Sequence, residues 1–241
     1  MTTSILQTPF AHQFIERRSR QVVTERPIGD RSVYFLYHHL RESAPAMFKL
    51  LTSARISSLL AFCRYDLPSN ARRDGRYLFE GIGADWHECV KPLAYFDSHR
   101  KVFERQIRYW ETRPMQAAVT KVVAPADSRI LIGSLATTSA LFIKEKMFEA
   151  AELLGNACPC HERFVNGDFA VFRLTPDKYH YNHLPVSGRI LDIYNIDGQY
   201  HSCNPSALIA MASLYAKNRR AVTIIDTDVP GGSQVGLVAM V

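Results

Sequence analysis

The period of the hydrophobic residues changes at Pro114, and that change limits the folds open to this chain. Upstream, between about Ser32 and Leu67, apolar residues recur every three or four positions: Val33, Leu36, Tyr37 and Leu40, then Met47, Leu50 and Leu51, then Ile56, Leu59, Leu60, Phe62 and Tyr65. The spacing predicts two or three short amphipathic helices, with Pro45 near a start and Pro68 as a stop. Residues 69–76 are polar and carry Gly75, which reads as a solvated connection. Helical spacing resumes between Gly83 and Arg113. Beyond Pro114 the apolar residues fall into short runs rich in Val, Ile and Phe, bounded by Gly, Pro, Asp and Asn: 119–123, 129–132, 140–143, 169–174, 189–194, 221–226 and 235–241. Helices are expected at 145–154 and 206–217. The reading is an α+β protein, with a helical N-terminal region at 1–113 and a mostly antiparallel β-rich domain at 114–241. A chain of 241 residues, 47% of them hydrophobic, can bury a core as one large domain or two small ones.

A net charge of +6 favours an anionic surface as partner, acidic lipid or nucleic acid. No RNA-binding module pattern and no helix-turn-helix spacing accompanies the charge, so nucleic acid is not expected. The N-terminal stretch MTTSILQTPFAHQFIERRSR has no long apolar run ahead of a cleavage site, so neither a secretory signal nor a spanning helix is expected there. Arg41, Lys49, Arg55 and Arg64 edge the apolar stripe of the first helices, a pattern that fits either a membrane interface or packing against protein. Five cysteines without framework spacing argue for a reducing compartment. Cys158-Pro159-Cys160-His161 is at most half a zinc site, with no second pair to complete it, and reads as a loop; no metal is expected.

The candidate chemistry centres on Tyr179-His180-Tyr181-Asn182-His183. Imidazoles titrate near neutral pH, so two of them three residues apart can move protons or bind a metal, although a pair in a basic protein is commonly a polar surface. Arg105 and Arg113 are candidate phosphate or carboxylate contacts, with a structural role among aromatics favoured for both. Asp127, after Pro125, is either a turn residue or an acid.

The run from Thr175 to Gly188 contains Thr175-Pro176, Tyr179-His180, His183, Pro185 and Gly188 in the spacing S/T-P-x-x-Y-H-x-x-H-x-P-x-x-G, and it resembles the phosphatidylserine decarboxylase family. Other stretches fall in the family's order. Phe103-Glu104-Arg105 and Thr112-Arg113-Pro114 resemble its F-F-x-R and R-P-I elements, and Ala124-Pro125-Ala126-Asp127 resembles its P-A-D-G segment. Phe142-Ile143-Lys144 and Glu152-Leu153-Leu154-Gly155 follow, then Ser202-Cys203-Asn204-Pro205 and Lys217-Asn218-Arg219-Arg220, and the likeness covers about Asp85 to Val241.

The resemblance implies an enzyme that removes CO2 from an amino-acid head group, a step that needs an electron sink conjugated to the amine. In this family the sink is a pyruvoyl group, made when an internal serine attacks its own backbone and the chain is cut in two. It implies that Asp127 and His183 activate that serine, that His180 serves the decarboxylation itself, and that Tyr179 and Tyr181 lie toward substrate. Two positions depart from the pattern. Ser128 stands where the family has Gly, in the turn that presents the carboxylate, and Tyr181 stands where an Arg is usual, removing a cation that would pair with an anionic substrate. Gly231-Gly232-Ser233 imitates the family's G-S-S/T segment but falls between two strands and reads as a turn. The expectation is therefore that this chain is the larger, N-terminal product of maturation or part of it, with the pyruvoyl on a small companion chain.

Phosphatidylserine is the expected substrate, with a free, possibly aromatic, L-amino acid as the alternative. A metal-dependent hydrolase-like site of His180, His183 and Asp127, or a non-catalytic lipid-binding protein, are readings from other classes. The resemblance further implies a homodimer of processed units, cytoplasmic or peripheral on the cytoplasmic membrane face.

Overall fold

A computed structural model describes residues 13–25, 30–66, 75–138, 141–143, 146–148, 150–155, 158–204, 207, 210 and 214–241, with the side chains of 30, 138–149 and 214 outside the description. The fold is α+β, as the change of period implies. The chain forms two compact units that each draw on three stretches: 1–57, 134–167 and 195–221 in the first, and 58–133, 168–194 and 222–241 in the second. The expected division at residues 113 and 114 falls inside the second unit.

In the first unit, β1 (Gln13–Ile15) and β2 (Val22–Thr24) form an antiparallel hairpin, too short to show in the sequence period. A helical stretch follows, Asp30–Tyr34 running through a π-helical turn at Phe35–Leu40 into Arg41–Ser43. Pro45 opens the helix Pro45–Leu51, where its missing N–H costs nothing. Tyr37 and Phe48 pack edge to face, 5.3 Å apart, beside Ala207. The apolar stripe is thus divided. Tyr37 and Phe48 are buried, whereas Phe35, Met47 and Leu50 are exposed, as are Leu59, Leu60 and Phe62 in the second unit. Among the described residues no single helix is long and apolar enough to cross a membrane. Pro68, the expected helix stop, lies outside the described residues.

The predicted helix at 145–154 is corrected at its start. β4 (Leu141–Ile143) and β5 (Lys146–Phe148) pair antiparallel, and the helix is confined to Ala150–Leu154. Cross-strand pairing of Leu141 with Phe148 outweighs local helix preference there. Cys158 and Cys160 are joined by a disulfide across Pro159, a pairing their spacing did not suggest, within the expected loop.

The second unit holds the larger core. Helix Gly75–Ile82 buries Leu78 and Phe79 against Cys89, Phe96, Val102, Ile107 and Tyr179. The predicted connection at 69–76 therefore ends in a helix. Gly75 is needed at its start, since a Cβ there would stand 2.8 Å from the Phe96 carbonyl oxygen and 2.9 Å from that of Leu93. Phe79, 1% exposed, meets the Phe96 ring edge-on at 5.0 Å. Phe79→Ala is expected to lower unfolding stability by about 3–5 kcal/mol, read by urea denaturation, because a ring-sized cavity cannot collapse among these neighbours.

The predicted helical run from Gly83 to Arg113 is broken into single turns at Trp86–Glu88 and Leu93–Tyr95, then helices His99–Phe103 and Tyr109–Thr112. β3 (Arg129–Ser134) pairs with β6 (Asp168–Arg173), and β7 (Arg189–Ile196), β8 (Arg220–Asp226) and β9 (Leu237–Met240) form a sheet in that order. β8 is central and carries the buried Val222, Ile224 and Ile225. β9 returns antiparallel to it. Residues 119–123, predicted as a strand, form none; 119–120 lie in a turn, and Val123 joins the backbone of the site described next.

Candidate functional site

The site is built where two irregular segments of the second unit run side by side. The Val123 N–H donates to the Pro185 carbonyl and the His183 N–H to the Pro125 carbonyl, each at 2.8 Å. These bonds lay the stretch ending at Asp127 against the stretch carrying His183. Gly188 closes the second stretch against β8, where a Cβ would stand 2.5 Å from the Asp226 carbonyl oxygen. Ser187 is tied in turn to Ser233, whose hydroxyl accepts from the Ser187 N–H at 2.9 Å and donates to the Val119 carbonyl at 2.7 Å. Ser233 is buried in the β8–β9 connection, as a turn residue should be.

At the start of the stretch, the buried Arg105 donates to the Val102 carbonyl at 2.9 Å and to the Asp177 carbonyl at 2.5 Å. A guanidinium spent on two carbonyls is a structural brace, and it fixes the turn that leads into Tyr179 and His180.

Asp127 is half-buried, and its Oδ2 accepts from Arg113 Nε at 3.0 Å. The other two nitrogens of that guanidinium hold Glu88, Nη1 to Oε1 at 3.0 Å and Nη2 to Oε2 at 3.2 Å. Burial alone would lower the affinity of Arg113 for its proton, but the Glu88 bond and the Asp127 charge outweigh it and hold the guanidinium above its ordinary range.

Tyr179 belongs to the core, 5% exposed, with its hydroxyl 2.8 Å from His183 Nε2. Burial, and then the Asp127 charge, push the phenol up, so it stays protonated with an O–H available to His183 Nε2. The Tyr109 ring lies 4.8 Å from the His183 ring. Tyr179 thus reaches the site through His183, while Tyr181 is exposed on the surface.

His180 stacks on Phe103 with ring centroids 3.8 Å apart. Burial, and then the nearby Arg105 charge, hold its pKa below the ordinary value, so the ring is neutral at pH 7. The Thr175 backbone offsets part of this lowering, and Nε2 is buried without a partner among the described residues. In the tautomer that carries its proton on Nδ1, a neutral ring has its lone pair on Nε2. A buried acceptor left unfilled is costly and points to a group that arrives from elsewhere.

The sequence reading named Asp127, Tyr179, His180 and His183, and the structure gathers all four in one unit. It did not name Glu88 or Tyr109, gave Phe103 only within a stretch resembling one of the family's elements, and favoured a structural role for Arg113 over contact with a carboxylate. Glu88 lies 25 residues from the arginine it meets, and nothing local in the sequence marks that pairing. Asp127 spends Oδ2 on Arg113 and His183 spends Nε2 on Tyr179, so two of the three ligands of the hydrolase-like alternative have protein partners, while His180 Nε2 has none among the described residues.

Comparison with known proteins gives a consistent result. A family described as Phosphatidylserine decarboxylase matches residues 100–241. Among curated relatives, the phosphatidylserine decarboxylase proenzyme of Ruminiclostridium cellulolyticum is 28% identical over 219 residues, 90% of this chain and 71% of the relative. That of Bordetella petrii is 30% identical over 194 residues, 78% of this chain and 65% of the relative. The Fusobacterium nucleatum proenzyme is 25% identical over 221 residues, 90% of this chain and 71% of the relative.

Proposed function

The chain belongs to the phosphatidylserine decarboxylase family, and from that membership we propose that it is the larger chain of a pyruvoyl-dependent enzyme that converts phosphatidylserine to phosphatidylethanolamine and CO2. The observation that carries this reading is the pair of proton-handling sites in one unit: Asp127 and His183 with their partners, and His180 with an unfilled Nε2. Both are needed if one protein must first activate a serine and later handle the substrate's protons.

The residues present fit a keto group brought by a companion chain. The buried Nε2 of His180 lacks the partner that such a group and its substrate would supply. Ser233 does not compete for the role of precursor, since its hydroxyl is buried and engaged on both sides. A pyruvoyl group held there would supply the electron sink that decarboxylation of an amine needs. His183 accepts the serine proton during maturation once Tyr179 yields Nε2, and Asp127 stabilises the charge that forms. His180, neutral and dry, takes a proton at Nε2 from the substrate ammonium and returns it to the carbon that lost CO2.

The companion chain also needs a surface. Ile130, Leu131 and Ile132 of β3 and Ile190, Leu191 and Ile193 of β7 are exposed, and apolar strand residues in that number support a covering partner. The exposed Phe35, Met47, Leu50, Leu59, Leu60 and Phe62, with a net charge of +6, support peripheral contact with anionic lipid on the cytoplasmic face.

The full-length proenzyme tests all of this in one preparation. The expected result is two chains by intact mass, covalent trapping of substrate on the smaller one by borohydride, and ethanolamine lipid formed from phosphatidylserine vesicles that co-sediment the protein. Amine release from free aromatic amino acids, with vesicles untouched, would favour the alternative in which the exposed Tyr181 faces a small substrate. A single uncut chain without either activity would end the enzymatic reading. Native mass of the matured protein reports whether two processed units associate.

A further inference from the structure

We infer that Arg113 and Glu88 form a positioning pair for maturation: Glu88 orients the Arg113 guanidinium, and Arg113 presents the Asp127 carboxylate to the cleavage machinery. The inference rests on the reading above that Asp127 serves self-cleavage. It assigns a task to two residues outside the histidine motif.

The geometry is that of a fork held from behind. Both terminal nitrogens of Arg113 are taken by the two oxygens of Glu88, which leaves Nε to face Asp127. Bidentate pairing fixes the plane of a guanidinium as well as its position, something a single charged contact does not do. Glu88 is itself anchored. Its carbonyl accepts from the Arg108 N–H at 2.9 Å, and the Arg108 guanidinium donates to the carbonyls of Cys89 at 2.7 Å and His87 at 2.5 Å, on either side of it. Cys89 and Ile107 add an isolated bridge between the same two segments. At the other end the Arg113 N–H closes the helix Tyr109–Thr112 by donating to the Tyr109 carbonyl at 2.8 Å.

Both ends of the fork are therefore fixed by backbone, and the carboxylate it holds is engaged through one oxygen. Among the described residues Oδ1 of Asp127 is left for a further partner. An orienting acid has this requirement, one oxygen held by the scaffold and the other left open. The three formal charges sum to −1, so the fork keeps a net negative charge in the unit that carries His183.

The test follows conversion of the full-length proenzyme from one chain to two by intact mass, together with the thermal midpoint of each uncut variant. Arg113→Lys keeps the charge and loses the fork, and is expected to mature about 10-fold more slowly with an unchanged midpoint; Arg113→Ala is expected to lose about 100-fold, the scale of a misplaced catalytic group. Added guanidinium ion is expected to restore part of the Arg113→Ala rate, and methylammonium at the same concentration to restore none. Glu88→Gln is expected to slow maturation even though residue 113 is intact. Wild-type rates in Arg113→Lys, or slowing in Arg113→Ala that guanidinium leaves unchanged, would overturn the positioning role. Normal maturation of Asp127→Asn would instead strike at the underlying reading of Asp127, so the two failures are distinguishable.

Discussion

His183→Gln is expected to leave the proenzyme as one uncut chain, with self-cleavage slowed by about 10²–10⁴, the usual worth of a positioned proton acceptor. The argument starts from the hydroxyl nucleophile, which is weak at its own pKa and needs a base within reach. His183 is the candidate whose backbone is bonded to the Asp127 segment, through Pro125, and whose ring is flanked by Tyr179 and Tyr109. Glutamine keeps a polar side chain of similar reach but cannot accept a proton at neutral pH. Removing only the phenol gives an informative contrast. Tyr179→Phe keeps the core ring and frees His183 Nε2, so it is expected to mature at least as fast as the native chain. Intact mass against time after synthesis measures both variants. A His183→Gln chain that matures on the native time course would remove this residue from the cleavage step.

The residues of the site were legible in the sequence to different depths, and the reason is distance along the chain. Tyr179, His180 and His183 sit within one short motif, and their chemistry shows in residue type and spacing alone. Asp127 lies far from them in sequence and was named through the family likeness. Its contact with Arg113, 14 residues away, and the contact of Arg113 with Glu88, 25 residues away, depend on how single turns at Trp86–Glu88 and Tyr109–Thr112 fold back on each other. No hydrophobic period encodes such a fold-back. The same cause explains the fold-level differences. β6, β7 and β8 were found within a residue or two because their β-branched and aromatic residues form short runs bounded by turn formers, a signal contained in a local window. The hairpin β4–β5 was read in part as helix because cross-strand pairing, absent from a local window, decided it. The apolar stripe near the N-terminus was legible as a stripe. The division into buried Tyr37 and Phe48 and exposed Leu50 and Leu59 was not, since it depends on Ala207 and its neighbours arriving from the far end of the chain.

His180→Ala is expected to separate the two reactions: the chain is still cut, but turnover of phosphatidylserine falls by about 10²–10⁴. His180 stands apart from the Asp127 and His183 partners, stacked on Phe103, so its loss removes a proton carrier without disturbing the Arg113–Asp127 or Tyr179–His183 contacts. Its pH behaviour supplies an independent check. Burial and the Arg105 charge place the folded-state pKa below 6.5, the ordinary value, and it is the neutral ring that carries the lone pair on Nε2. Activity that depends on that lone pair should therefore persist through pH 6.5 and be lost only as pH falls through the lower, folded-state value. The linkage to stability has the same sign. Unfolding returns the imidazole to its ordinary pKa, so below 6.5 the unfolded chain binds the proton more readily and this contribution to stability declines with falling pH. A kcat/KM profile of the matured native enzyme, beside thermal midpoints of native and His180→Ala protein across the same range, measures both effects. The variant should lose part of the acid sensitivity of the midpoint along with the turnover. Turnover that survives the substitution, with an unchanged acid limb, would show that the proton is carried by another group.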